Sequence, residues 1–205
     1  MTVRGTAACW LIAGVAYPGL EAIAATAYPG YRYAHDFISD LGRPDSPLGD
    51  LMNTGFAVQG TFFFAGAALL ARTLRGRSRV FVGLAAANMV GNVIVATVPS
   101  GPEGIPWLHV SAAVLAIVGG NAAILAGSPL VTAPRYYRVA SVGLATLGMS
   151  SFVLLALAST TSATLILPNA VWERTSVYTI IAWQVLSALE LLAHQRWSMA
   201  RSRGN

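Results

Sequence analysis

The chain has 205 residues, of which 55% are hydrophobic and only 10% are charged. Soluble proteins carry roughly 25% charged residues, so a water-facing surface for a fold of this size cannot be covered. The net charge of +5 comes from arginine alone, with no lysine anywhere, and the arginines fall between apolar runs rather than in a stripe with aromatics, which excludes a nucleic-acid-binding surface.

A bilayer core needs about 20 mostly apolar residues per helix, and six stretches of this sequence qualify. They predict an all-α, polytopic integral membrane protein: a single domain over 1–205, built as a bundle of six transmembrane helices. The first span, at about 6–26, is too long for a signal-peptide core and shows no A-x-A-like cleavage site. It holds the single cysteine, Cys9, expected to be a small buried apolar residue. It also holds Pro18, expected to kink the helix, and Glu21 in its second half. A carboxyl at that depth must be paired, protonated or drawn up to the surface.

The longest connector follows, with the run YPGYRYAHDFISDLGRPDSPLGD. It gathers aromatics, Pro, Gly, His35, Asp36, Ser39 and Asp40. Asp36 and Asp40 read either as turn and helix caps or as working carboxylates. The second span, at about 51–71, has Asn53 near its start. The third, at about 80–98, carries Asn88 and Asn92 four residues apart and therefore on one face. The same span repeats small residues at Gly83, Ala87 and Gly91; the fourth span, at about 107–127, does so at Ala112, Ala116 and Gly120. Such faces allow close helix packing.

His109 stands at the head of the fourth span. The fifth runs at about 139–160, and the sixth at about 175–194 begins beside Glu173, Arg174 and Tyr178. Adjacent residues of opposite charge do not face one another on a helix. Glu173 and Arg174 therefore each need a separate partner, and an ion pair with an Asp of the long connector is one reading, in which the charges are purely structural.

With six spans, Arg4, Arg72, Arg75, Arg77, Arg79, Arg135, Arg138, Arg196, Arg201 and Arg203 fall on one side and Arg32, Arg43 and Arg174 on the other. The positive-inside rule puts both termini in the cytoplasm of a multi-pass cell-membrane protein. The polar side chains then concentrate at the outer leaflet. Glu21, His35, Asp36, Ser39, Asp40, Asn53, Asn88, Asn92, His109, Glu173, Arg174 and Tyr178 could line an outward-facing pocket, or could simply bond neighbouring helices. No H-E-x-x-H or H-x-x-x-H pair occurs, so no metal site is predicted, and no cofactor is implied. Ser39, Asp40 and His109 share a side, but no G-x-S-x-G elbow supports serine hydrolysis.

The run HDFISDLGRPDSPLGDLMNTGFAVQG at 35–60 resembles the segment that marks the membrane family known as domain of unknown function 998. VPSGPEGIPWLH at 98–109 and WERTSVYTIIAWQ at 172–184 are similar to later segments of that family. The ISDLG-to-Asn stretch also resembles the damage-regulated autophagy modulator proteins. The resemblance implies a six-helix membrane protein in which His35, Asp36, Ser39, Asp40, Gly42, Asn53, His109, Glu173 and Arg174 occupy characteristic positions. It implies no substrate.

Three functions follow as expectations. The first is binding or handling of a lipid or other amphiphile, with membrane lipids as partners. Asp40, His109 or Glu173 would then be the candidate catalytic acid–base groups, and Arg174 would hold an anionic headgroup. The second is a non-catalytic scaffold or accessory subunit that joins a homo-oligomer or a partner membrane protein. The third is a small transporter acting as an oligomer.

Overall fold

The computed structural model describes residues 2–74, 78–101, 103–161 and 166–203, with side chains as far as 197. Of the arginines used for orientation, Arg75 and Arg77 lie outside the described residues, as do the side chains of Arg201 and Arg203. The described chain is helical, with no strand: α1 (Thr2–Ala27), α2 (Gly49–Ala71), α3 (Arg79–Thr97), α4 (Pro106–Gly127), α5 (Arg135–Thr161) and α6 (Asn169–Arg203). All six are long and apolar enough to cross a membrane. The protein is thus a multi-pass integral membrane protein. Short 3₁₀ turns at Ile38–Gly42 and Ser128–Leu130 complete the chain.

Five of the observed helices cover their predicted spans, with ends that stay or move outward where hydrogen bonding outlasts hydropathy, while α3 ends at Thr97, one residue before the predicted 98. The largest shift is in α6, which starts at Asn169 and so takes Glu173 and Arg174 into its first turns. Prolines explain three of the starts. Pro106 occupies the first turn of α4, while Pro134 and Pro168 directly precede α5 and α6. At a helix start the missing proline N–H removes no helical bond. Pro18 sits inside α1, which runs on through it.

The helices form a ring in chain order, with α6 returning to pack on α1 as well as on α5 and part of α4. Arg4 donates to Gln195 at 3.2 Å, which fixes the N-terminal end of α1 beside the far end of α6. That half of the bundle has an apolar core. Trp10, Phe63, Phe81 and Trp183 meet edge to face or tilted, with centroids 5.3–6.5 Å apart. Edge contacts suit the ring quadrupoles. Both indole N–H groups are satisfied, Trp10 by the Phe63 carbonyl and Trp183 by Ser141 Oγ. Outward positions are large and apolar, among them Val80, Leu125, Val139 and Leu147, as lipid contact requires.

The small-residue faces are used unequally. A Cβ on Gly91 would lie 2.5 Å from the Ala112 carbonyl oxygen and 2.5 Å from the Ala116 nitrogen, so α3 and α4 meet backbone to backbone there. Gly83 has nothing within 4 Å and faces open space. At mid-bundle, Asn121 of α4 donates to the Ser176 carbonyl at 2.9 Å and accepts from Thr179 Oγ1 at 2.9 Å. This side chain joins α4 to α6 without reaching the connector end.

Candidate functional site

The polar residues of the other half divide into two groups, which share the connector 28–48 as their roof. The first group fastens that connector. Glu21 of α1 is fully buried and Arg174 of α6 is 5% exposed. Arg174 Nε donates to Glu21 Oε1 at 3.1 Å, and Tyr178 OH donates to Glu21 Oε2 at 2.7 Å. Glu21 is therefore paired, with its arginine coming from a helix and not from a loop. The rest of the guanidinium goes to the connector: Nη1 donates to the Asp36 carbonyl at 2.8 Å, and Nη2 to the Tyr31 hydroxyl. The Tyr33 ring covers the guanidinium, 4.1 Å from its carbon to the ring centroid, a cation–π arrangement. Tyr31 in turn donates to the Phe37 carbonyl at 2.9 Å. Burial pushes the hydroxyls of Tyr31 and Tyr33 above their ordinary pKa, which keeps both as donors.

Glu173, one residue earlier, points elsewhere. Its Oε2 accepts from the Ile38 backbone N–H at 2.7 Å, at the start of the connector's 3₁₀ turn. So two adjacent residues of α6 hold the connector's main chain, Arg174 as a cation on oxygen and Glu173 as an acceptor on nitrogen, and the hydroxyls of Tyr31 and Tyr33 add bonds to Arg174 and Tyr178. Neither residue pairs with an Asp carboxylate of the connector.

Asp36 and Asp40 of the connector bond chiefly to the connector's own backbone. Asp36 accepts from the backbone N–H of Arg32 at 2.6 Å and from its guanidinium at 3.3 Å. These donors hold its carboxyl below the usual carboxylate range, the backbone bond most. Asp40 Oδ2 accepts from the Phe37 N–H at 3.0 Å, closing the 3₁₀ turn on itself. Asn53 donates to the Gly42 carbonyl at 3.0 Å. A Cβ on Gly42 would run into Asn53 Oδ1, so the Asn53 side chain would have to shift and give up this bond.

The second group surrounds a cavity of about 40 Å³ beneath the 3₁₀ turn. Every helix except α5 contributes to its wall. The polar lining is Tyr17, Ser39, Gln59, Asn88, Asn92, His109 and Glu173; the rest, such as Val95, Ala113 and Val177, is apolar. His109 Nδ1 lies 2.6 Å from the Val98 carbonyl oxygen. A carbonyl only accepts, so Nδ1 carries the proton and Nε2 presents a lone pair in the neutral ring. The same reasoning orients both asparagines. Asn88 Nδ2 donates to the Ala116 carbonyl at 2.8 Å and Asn92 Nδ2 to the Asn88 carbonyl at 2.9 Å. Their amide oxygens are left over, and Asn88 Oδ1 is buried with no partner.

The structure thus brings Ser39, Asn88, Asn92, His109 and Glu173 to one cavity, and Glu21, Arg174 and Tyr178 to one ion-pair network. Asp36, Asp40 and Asn53 tie down the connector, and His35 stands exposed. Among the described residues no three His, Cys, Asp or Glu side chains form a metal-binding group. Sequence reasoning misses Tyr31, Tyr33 and Gln59. Gln59 was findable, since it is an uncharged polar residue deep in an apolar span, the same signal that marks Asn88. Removing the Tyr178 hydroxyl (Tyr178→Phe) should lower stability by about 1.5–3 kcal/mol, the usual worth of a hydrogen bond to a charged group, as read by chemical unfolding in detergent.

No curated protein and no solved structure matches the chain. A family model described as "Protein of unknown function (DUF998)" matches residues 7–190, from α1 through the connector and cavity residues into α6, and the chain therefore belongs to that family.

Proposed function

We propose that this cell-membrane protein binds a membrane amphiphile, taking its polar end into the cavity under the connector. The observation that carries the reading is the buried Asn88 Oδ1 without a partner, on the wall of a cavity that also presents His109 and Glu173. A buried polar atom left unpaired costs about 1–3 kcal/mol, and a bound polar group or water removes that cost. Mostly apolar walls with a few convergent polar groups are the general form of a small-molecule site. Ala113 of α4 and Val177 of α6 are both wall residues and partly exposed, which favours entry from between helices.

The size limits what enters. Each water-sized group needs about 10–15 Å³ of such space, so the cavity of about 40 Å³ admits a few such groups and no acyl chain. Only the head of the amphiphile occupies it, and the chain stays among the lipids. Acid–base chemistry at this site would fall to His109 and Glu173, because Asp40 is turned to its own turn and to Ser100.

A second reading has its own support. The Arg174 guanidinium makes four hydrogen bonds, to Glu21, two backbone carbonyls and Tyr31. This suits a scaffold whose polar groups exist to lock the connector down. One experiment separates the two. Protein purified in mild detergent should retain a defined lipid by mass spectrometry, and Ala113→Leu, which fills the cavity, should release it without lowering the Tm. Purified protein that retains no defined lipid, with Ala113→Leu changing only stability, would establish the scaffold reading.

A further inference from the structure

The cavity wall is unbalanced in hydrogen-bonding character. Three of its atoms can only accept, namely Asn88 Oδ1, the Asn92 amide oxygen and, in the neutral ring, His109 Nε2, and the free Glu173 oxygen joins them when that carboxyl is ionised. Each residue has already spent its donor, or its other oxygen, on backbone. Against them stand the Gln59 amide and the hydroxyls of Ser39 and Tyr17, the side chains of the wall with a donor still to give. No cation lines the cavity. Arg174 is neutralised by Glu21, and the connector arginines are held by their own aspartates, Arg32 by Asp36 and Arg43 by Asp45.

An acceptor-rich site binds donors. A phosphate head would bring several more acceptor oxygens and a negative charge to a wall that already carries a carboxyl and has no cation to compensate. It would also overfill about 40 Å³. A hydroxyl or an amine supplies N–H or O–H groups to these orphan acceptors and is only one heavy atom wide.

We infer that the cavity receives a hydrogen-bond-donating head, a hydroxyl or an amine on an apolar chain, and discriminates against anionic phosphate heads. The inference rests on the amphiphile reading and narrows it to a ligand class. The role expected for Arg174, as clamp for an anionic headgroup, gives way to that of fastener.

The test compares matched probes on the wild-type protein in neutral-phospholipid nanodiscs: tetradecan-1-ol, tetradecylamine, methyl tetradecyl ether and tetradecyl phosphate. Saturable binding is measured above partition into empty nanodiscs. The alcohol or the amine should bind at least tenfold more tightly than the ether and the phosphate. Glu173→Gln removes the carboxylate and should weaken the amine more than the alcohol, which tells the two head chemistries apart. If the ether or the phosphate binds as tightly as both donors, the ligand class is wrong while amphiphile binding stands. Binding of no probe above partition would overturn both.

Discussion

Arg174→Met should destabilise the protein by about 3–5 kcal/mol, because removing one partner leaves a buried charge uncompensated. The charge left behind is Glu21, which is fully buried and would keep only the Tyr178 hydroxyl. The same substitution frees the Asp36 carbonyl and the Tyr31 hydroxyl and uncovers Tyr33, so the connector keeps only its bonds to Glu173 and Tyr178 of α6. The double variant Glu21→Gln/Arg174→Met should recover part of the loss, since replacing a buried pair together is far less damaging than halving it. A double-mutant cycle by chemical unfolding should give a coupling of about 1–3 kcal/mol. Additive single losses would mean that the pair does not act as a unit.

Gly91→Ala should be the most harmful small substitution in the transmembrane helices. The added methyl would sit 2.5 Å from the Ala112 oxygen and 2.9 Å from the Ala116 Cα, and backbone cannot rotate out of the way. Helices α3 and α4 must then separate, which costs about 1–3 kcal/mol or more and carries Asn88 and Asn92 away from α4. Gly83→Ala, two turns earlier on the same helix, meets nothing within 4 Å and should leave the Tm unchanged or slightly raised. Thermal unfolding of the pair in one detergent checks both. Equal effects would show that the close approach at Gly91 is not what holds α3 to α4.

The six spans are legible because each is an apolar run longer than the bilayer requires, bounded by Arg, Pro or the polar connector. Helix ends are less so. Hydropathy stops at Thr175, whereas backbone hydrogen bonding carries α6 back to Asn169 through Glu173 and Arg174. The gathering of polar residues at one end is legible for Asn88, Asn92 and His109, since a polar side chain in an apolar span must face the bundle interior. Their division into network and cavity is not. That Arg174 meets Glu21, 153 residues away, depends on α6 closing the ring onto α1. Tyr31 and Tyr33 look from sequence like interface anchors; only the position of α6 beneath them makes them a cradle for a cation.

The pairing of Glu21 with Arg174 also sets an order of events during synthesis. At about 5–20 residues per second, the arginine emerges roughly eight to thirty seconds after the carboxylate it neutralises, given the 153 residues between them. Until then the first helix carries an unmatched acid in the bilayer, and the connector has none of its α6 fastenings. A nascent chain stopped short of the sixth helix therefore carries both defects together, an unpaired buried acid and an unfastened connector.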